Sequence, residues 1–323
     1  MKKLYNYPMK KYVSSISLIL AIGLLCSCNS ANTATEFLLD TVVTITADCD
    51  EETLSGAFAL CREYDKLFSA KDDGSEISAL NRGETKEVSK DTAELIEKAT
   101  EYSALSGGRF DLTIYPLTVL WDFKNEIVPS KDEIAAALNS VDYESVKVEG
   151  TRVITGGKKI DLGAIAKGYI TDKVLEYLKE NGAKNGIINL GGNVYVFGDK
   201  EYNIGIKKPY SEENAAVLKL KNKTASTSGV YERYFEKDNI KYHHIIDPKT
   251  GYPAKSDLLS ATVICDNSAM ADAFSTICIL KGKEEALDFI ENTKGAEAIF
   301  IDETYKLSFT KGIKQEGEFL ILR

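Results

Sequence analysis

Hydrophobic and polar positions recur along this chain with two periods, and the changes of period predict where strands and helices lie. Residues 37–47 alternate as in a half-buried strand, whereas residues 51–68 carry apolar side chains at helical spacing. Further helices are predicted at 91–105, 131–139, 167–181 and 268–280. Further strands are predicted within 146–154 and at 186–190, 194–197, 202–207, 217–220, 259–265, 298–301 and 319–322. Because no regular βαβ repeat emerges, we predict an α+β fold.

The predicted helix at 91–105 carries signals at both ends. Asp91 is a candidate N-cap, since Glu94 follows three residues later, as in a capping box. Gly107 and Gly108 follow the last turn, where glycine commonly ends a helix. The pattern therefore predicts a helix that begins at Asp91 and ends before Gly107.

The first residues have the pattern of a targeting segment. Four lysines within the first eleven residues precede an apolar stretch at 13–25 that is too short to span a bilayer. It ends at Leu25-Cys26-Ser27-Cys28, which resembles a bacterial lipobox. We expect Cys28 to be the lipidated N-terminus, with Cys26 as the alternative. The prediction is a signal peptide at 1–27, a tether at 28–36, one folded unit at 37–323, and an extracytoplasmic location on a bacterial membrane.

Composition excludes several classes of function. A net charge of −9 argues against a nucleic-acid surface. With two histidines in the chain, a histidine-rich metal site is excluded, and no G-x-S-x-G, P-loop or G-x-G-x-x-G pattern is found. Four cysteines follow the leader without zinc spacing, so free buried thiols or a disulfide are both open. These are Cys49, Cys61, Cys265 and Cys278.

Two segments carry candidate chemistry for a phosphate ligand. Asp272 and Thr276 lie four residues apart and so share one face of a helix, where two hard oxygen atoms suit magnesium. The alternative is a surface Asp and a Thr bonded back to its own helix. The run from Asp161 to Ala164 enters a helix through a glycine turn, and a helix N-terminus favours phosphate. Lys167 adds a positive charge there, or is simply a solvated lysine.

The adjacent histidines His243 and His244 precede an Asp-Pro turn. In a strand they point to opposite faces, so at most one faces a site. Histidine is the natural general base at neutral pH, because its unperturbed pKa is about 6.5. Glycine turns at 189–193 and 227–229 could cradle phosphate or only reverse the chain.

Taken in order, these motifs resemble those of one family. The matching segments are Phe68-Ser69 with 75–81, 106–113 with Pro116, Leu117 and Trp121, 161–168, 189–192, 227–234, 242–253 and 271–276. Together they resemble the ApbE family of FAD:protein FMN transferases over almost the whole mature chain. The resemblance implies a single catalytic unit with a mixed, T-fold-related sheet.

The resemblance also implies an activity. A member of this family binds FAD with Mg²⁺, splits the pyrophosphate, moves FMN onto a Thr or Ser hydroxyl of a partner flavoprotein and releases AMP. The partner would be a subunit of a membrane redox complex or a similar extracytoplasmic flavoprotein. Two alternatives stay open: an FAD pyrophosphatase that uses water, and an FAD-binding or thiamine-related scavenging protein without turnover.

The matched motifs assign roles to individual residues by position. His244 matches the base that deprotonates the acceptor hydroxyl. The implied magnesium ligands are the Ala164 carbonyl, Asp272 and Thr276. The implied FAD contacts are Leu39, Lys71, Arg109, Phe110, Asp111, Asp161, Lys167 and Ile245. Leu39 stands where many relatives have Met, and Lys71 stands where a tyrosine often stacks on the flavin.

Overall fold

The computed structural model describes residues 31–323. Cys28 and the signal peptide lie outside the described residues, so their processing stays a prediction. Within the described range, no helix has both the length and the apolar character needed to cross a membrane.

The described chain alternates between helices and strands in the irregular way that the sequence predicts. The helices are α1 (Glu51–Phe68), α2 (Glu76–Asn81), α3 (Lys90–Leu105), α4 (Tyr115–Thr118), α5 (Lys131–Leu138), α6 (Ala166–Glu180), α7 (Ser268–Lys281) and α8 (Lys283–Glu291). The strands are β1 (Asn32–Leu38), β2 (Thr41–Ala47), β3 (Lys147–Glu149), β4 (Arg152–Ile154), β5 (Gly186–Leu190), β6 (Asn193–Phe197), β7 (Tyr202–Lys207), β8 (Asn214–Leu220), β9 (Lys223–Gly229), β10 (Tyr234–Lys237), β11 (Ile240–His243), β12 (Leu258–Cys265), β13 (Glu297–Asp302), β14 (Leu307–Phe309), β15 (Ile313–Glu316) and β16 (Phe319–Leu322).

An eight-stranded sheet forms the middle layer, in the order β1-β2-β5-β6-β9-β12-β13-β14, and its neighbours pair antiparallel. A four-stranded sheet, β15-β16-β8-β7, contains one parallel pair, β16 with β8. The four-stranded sheet is therefore mixed and the large sheet antiparallel, and the predicted α+β class is confirmed.

Alternating side chains on the large sheet enter two cores. Val263 packs with the helices on one face, while Ile264 packs with the four-stranded sheet on the other. Helix α7 is the innermost helix, because eleven of its residues are buried. A third cluster, around Trp121, joins α4 and α5 to the β10–β11 hairpin. The four described cysteines are buried and unpaired.

The prediction of a single strand at 37–47 is wrong, because this segment contains the turn of a hairpin and its second strand. Leu39 and Asp40 have φ of 56° and 55° and form a two-residue turn between β1 and β2. Strand β1 begins at Asn32, which moves the start of the folded unit into the segment predicted as a tether. Threonines explain the pairing, because Thr33 and Thr35 contact Thr46 and Thr44 across the strands.

The predicted start of α3 is also wrong. Ser89 is the N-cap and accepts a hydrogen bond from the Thr92 N–H. Asp91 instead accepts hydrogen bonds from the hydroxyls of Tyr64 and Tyr169, which join α1 and α6 to α3. The predicted end is confirmed, because Gly107 and Gly108 follow the helix with positive φ.

Candidate active site

The candidate site is built where the start of α6 meets α7. The Gly168 N–H donates to Oδ2 of Asp272 over 2.9 Å. A Cβ at Gly168 would lie 2.2 Å from the Ser268 carbonyl oxygen, so only glycine permits this approach. The first N–H groups of a helix have no intrahelical partner, and Asp272 satisfies one of them.

Strand β9 contacts helix α7 through two of its serine hydroxyls. Ser226 donates to Oδ1 of Asp272 over 3.2 Å, and the Ser228 and Thr276 hydroxyls are 3.0 Å apart. Asp272 is only 6% exposed, so these bonds fix its orientation. The predicted pairing of Asp272 and Thr276 on one face is therefore confirmed as geometry, since both side chains contact β9.

The oxygen atoms gathered here suit a hard cation. Ala164 immediately precedes Ile165, the N-cap of α6, so its carbonyl lies before the first intrahelical acceptor and outside the helical hydrogen-bond ladder. Asn193 lies opposite Ser226 in the β6–β9 register, and its buried Oδ1 has no hydrogen-bond partner among residues 31–323. Mg²⁺ typically takes one or two protein carboxylates and completes its octahedron with substrate phosphates and water. The donor set at Asp272 fits that preference.

Acidic and histidine side chains do not by themselves form a metal cage. Within the described part of the chain, no group of three or more His, Cys, Asp or Glu side chains is placed to hold a metal ion. A cation at Asp272 would therefore depend on hydroxyl, carbonyl and amide oxygens and on phosphate oxygens of the substrate.

His244 is held in one tautomer. Its backbone N–H donates to the Arg233 carbonyl over 3.0 Å, and its Nδ1 lies 3.3 Å from the same oxygen. A carbonyl oxygen only accepts, so Nδ1 carries the proton and Nε2 keeps its lone pair. Burial, with smaller effects from the charges of Arg233, His243 and Lys167, lowers the pKa of His244 to about 4. The imidazole is therefore neutral at pH 7.

His243 is held in the other tautomer. It is buried, and its Nε2 lies 3.0 Å from the Ala254 carbonyl, so this histidine is the Nε2–H tautomer. The two side chains thus contact different carbonyl groups, and the prediction that at most one of them faces a site stays a prediction. Ile245 follows them and is buried, and its carbonyl accepts from the Ala254 N–H.

Lys167 lies in the first turn of α6, as predicted, and its charge reaches both His244 and Glu232. Sequence reasoning missed Glu232, which lies in the β9–β10 connection. Glu232 is exposed at the surface, yet the protein packed around its carboxyl raises its pKa to about 7; Asp272 adds to the rise, while Lys167 and Arg233 oppose it. A signal existed, since Glu232 belongs to the matched segment 227–234.

Leu39 occupies the β1–β2 turn and is half-buried against the helical core. The Arg233 guanidinium donates to the carbonyl of the next residue, Asp40, over 3.0 Å. Arg233 was not singled out from the sequence, because its contact lies 193 positions away.

The predicted contacts at 109–111 form the loop between α3 and α4. Phe110 is buried, and its N–H donates to the Ser106 hydroxyl. The Asp111 carboxylate accepts from the Thr113 N–H and hydroxyl and from the Tyr143 N–H. Asp111 therefore holds the loop in shape, and burial raises its pKa although these bonds oppose the rise.

Two predicted FAD contacts, Arg109 and Lys71, bond to residues other than those around Asp272. Arg109 has a guanidinium nitrogen 3.9 Å from Glu285 of α8. Lys71 is exposed in the loop after α1, and its N–H donates to the Ser69 hydroxyl. Across residues 31–323, no hydrogen bond or ion pair connects either side chain to Asp272 or His244.

Asp161 connects the 109–111 loop to the start of α6. Its N–H donates to the Leu112 carbonyl, and its carboxylate accepts from the Gly163 N–H and the Thr118 hydroxyl. The turn predicted from Asp161 to Ala164 is therefore tied to the loop that contains Phe110.

Comparison with known proteins identifies the family of this chain. The model of the ApbE family matches residues 39–300. An FAD:protein FMN transferase of Treponema pallidum (strain Nichols) is 31% identical, over 80% of this chain and 80% of the relative. A second, from Klebsiella pneumoniae (strain 342), is 35% identical, over 78% of this chain and 83% of the relative.

Solved structures agree as well. The crystal structure of the ApbE protein of Thermotoga maritima superimposes with a TM-score of 0.81 at 31% identity, covering 87% of this chain and 97% of that one. The flavin transferase ApbE of Vibrio cholerae gives a TM-score of 0.77 at 25% identity, covering 87% and 98%. The family model, the relatives and the solved structures thus agree, and this chain belongs to the ApbE family.

Proposed function

We propose that this protein transfers FMN from FAD to a Ser or Thr hydroxyl of an extracytoplasmic flavoprotein, with Mg²⁺, and releases AMP. The transferase activity is supported by the FAD:protein FMN transferases that match most of the chain. The observation that carries the proposal is the hydrogen bond from Gly168 to Asp272, which puts a fixed carboxylate at the helix start that also holds Ala164 and Lys167.

The residues divide the work of phosphoryl transfer. His244 Nε2 accepts the proton of the acceptor hydroxyl, whose oxygen then bonds to the phosphorus of the FMN half of FAD. The bond from that phosphorus to the oxygen bridging it to the AMP phosphorus breaks, and AMP leaves with that oxygen. Lys167 offsets negative charge on the pyrophosphate, because phosphoryl transfer depends mainly on positioning and charge neutralisation.

Asp272, Thr276 and the Ala164 carbonyl would hold the magnesium ion, with Asn193 beside them. When bound, Mg²⁺ supplies positive charge that stabilises the phosphate oxygens of the transition state. The chain's own contribution is to keep the carboxylate rigid, through the bonds from Gly168 and Ser226.

The test uses the full chain in detergent with FAD, MgCl₂ and a candidate flavoprotein subunit. Covalent flavin is read as fluorescence of the subunit on a denaturing gel, and AMP is quantified in parallel. We expect a fluorescent band and AMP in equal amounts, both lost in Asp272→Ala. Asp266→Ala is the matched control, because that exposed carboxylate pairs only with Lys223 among the described residues.

Other outcomes would replace the proposal. AMP and free FMN without a fluorescent subunit would identify an FAD pyrophosphatase, in which water takes the place of the acceptor hydroxyl. FAD binding without either product would identify a binding protein.

The proposed location rests on the lipobox-like sequence that ends at Cys28. Metabolic labelling with a radioactive fatty acid should mark the wild-type chain and the Cys26→Ser variant, but not Cys28→Ser. Labelling that is lost only in Cys26→Ser would move the modification site, and an unlabelled wild-type chain would contradict the anchor.

A further inference from the structure

The turn between β1 and β2 is unusual in composition. Leu39 and Asp40 both adopt positive φ, a region that favours glycine. Non-glycine residues keep such a conformation only when their surroundings hold them. The turn that carries the FAD-contacting candidate Leu39 therefore requires support from outside the hairpin.

Support comes from two directions. On one side, the Asp65 carboxylate of α1 interacts with the Leu39 N–H. On the other, Nη2 of Arg233 donates to the Asp40 carbonyl over 3.0 Å. The turn is thus held through both of its central residues.

Arg233 also contacts the opposite part of the site through its backbone. Its carbonyl oxygen accepts from the His244 N–H at 3.0 Å and lies 3.3 Å from Nδ1. One residue therefore joins the turn that contains Leu39 to the imidazole of His244. The register explains this, because Arg233 and His244 directly extend the β10–β11 pairing beyond Tyr234 and His243.

We propose that Arg233 is a positioning residue, which holds the Leu39 turn and the His244 imidazole at the separation that bound FAD requires. The proposal deepens the FMN-transfer function and rests on it. Without the guanidinium, the turn loses one of its two supports while the backbone bonds to His244 remain. Loss of the side chain should therefore weaken FAD binding more than it disturbs the imidazole.

The titration of His244 separates the effect of the Arg233 charge from that of its hydrogen bond to the turn. The charged groups that act on His244 are Arg233, His243 and Lys167, and Arg233 is the strongest of them. Removal of the Arg233 charge should raise the pKa of His244. Arg233→Lys keeps the charge but has no fork of donors, so it should preserve the titration and still loosen the turn.

The experiment compares the full-length wild type with Arg233→Gln and Arg233→Lys. Arg62→Gln is the matched control, since Arg62 ties α1 to Glu36 of the same hairpin without contacting the turn. FAD affinity is measured by flavin fluorescence without acceptor. The imidazoles are titrated by NMR on chain labelled with ¹⁵N-histidine, where two residues give readily assigned signals.

We expect FAD affinity to fall about tenfold in both Arg233 variants and to stay unchanged in Arg62→Gln. The His244 titration should move to higher pH in Arg233→Gln only. An FAD affinity within twofold of wild type in Arg233→Gln, or an equal loss in Arg62→Gln, would overturn the proposal.

Both readouts are independent of transfer, so a wild-type chain that transfers no FMN would defeat the proposed function and leave this test intact. If Arg233→Gln does not fold, the FAD affinities of Arg233→Lys and Asp65→Asn test the proposal instead. Asp65→Asn weakens the opposite support of the turn, and it should lower FAD affinity without moving the His244 titration. Wild-type affinity in both would contradict the proposal.

Discussion

The backbone N–H of Gly168 donates to the carboxylate of Asp272 over 2.9 Å, across 104 positions of the chain. This bond joins the N-terminus of α6 to the buried face of α7. It also explains why a glycine follows Lys167, since any Cβ would meet the backbone of Ser268.

Gly168→Ala should therefore separate the two helices. Overpacking of this kind typically costs about 1–3 kcal/mol in the free energy of unfolding, and Asp272 would lose its N–H donor. We expect a lower melting temperature and transfer activity that falls further than the folded fraction. Gly74→Ala is the control, because Gly74 has room for a Cβ. Unchanged activity in Gly168→Ala would show that this approach is not needed.

Asp272→Asn should abolish the response to magnesium. A cation that binds only the folded state raises the melting temperature, by about 1–2 °C for each kcal/mol of stabilisation in a chain of this size. With AMP present to supply phosphate oxygens, MgCl₂ should stabilise the wild type and Asp266→Asn but not Asp272→Asn. An equal shift in all three proteins would place the cation elsewhere.

His244→Ala should lower FMN transfer by about a hundredfold to ten-thousandfold, the usual contribution of a general base. A base must be neutral to accept a proton, and burial lowers the pKa of His244 to about 4. Transfer by the wild type should therefore persist well below pH 6.5 and decline only as pH approaches that lowered value. His243→Gln should lose transfer activity over the same acidic pH range as the wild type. A decline centred at pH 6.5 would mean that the pKa of His244 is not lowered in the protein.

Glu232 should make FAD binding depend on pH. With a pKa raised to about 7, chiefly by displacement of water, the carboxyl is neutral below that pH and negative above it. The new charge repels the FAD pyrophosphate, so affinity measured without divalent cation should fall between about pH 6 and 8. Glu232→Gln should remove this dependence, whereas Glu236→Gln on β10 should retain it. A flat wild-type profile would exclude the effect.

Asp91→Ala should destabilise the fold without altering the chemistry. Burial opposes ionisation of Asp91, but hydrogen bonds from Lys173, Tyr64 and Tyr169 outweigh it and lower the pKa. We expect a loss of about 1–2 kcal/mol in the free energy of unfolding, since the carboxylate is partly exposed. Its contribution is present at neutral pH and is lost as pH falls through the lowered pKa.

Denaturant unfolding at pH 7 measures this difference, with Glu97→Ala on the exposed face of α3 as control. The specific activity of the folded Asp91→Ala protein should match that of wild type. A fall in specific activity would connect this network to the site instead.

Local signals in the sequence determined helices α1, α3, α5, α6 and α7, whereas α4 and α8 were not predicted. Helix α1 has the predicted bounds, and Asp272 and Thr276 share a face because helical spacing depends only on neighbouring residues. The order of the motifs was also sufficient to indicate the ApbE family.

Local patterns failed where two conformations compete over a few residues. Alternation continued through Leu39 and Asp40, so the hairpin turn was read as strand. Asp91 has the side chain of an N-cap, but Ser89 caps the helix and Asp91 bonds two distant tyrosines instead.

Only the tertiary structure decided how the site is assembled. The bonds from Gly168 to Asp272 and from Arg233 to Asp40 join residues more than a hundred positions apart. The titration of Glu232 and His244 depends on the protein packed around them. Such contacts depend on how whole helices and strands pack against one another. The spacing of residues along one element does not specify that packing.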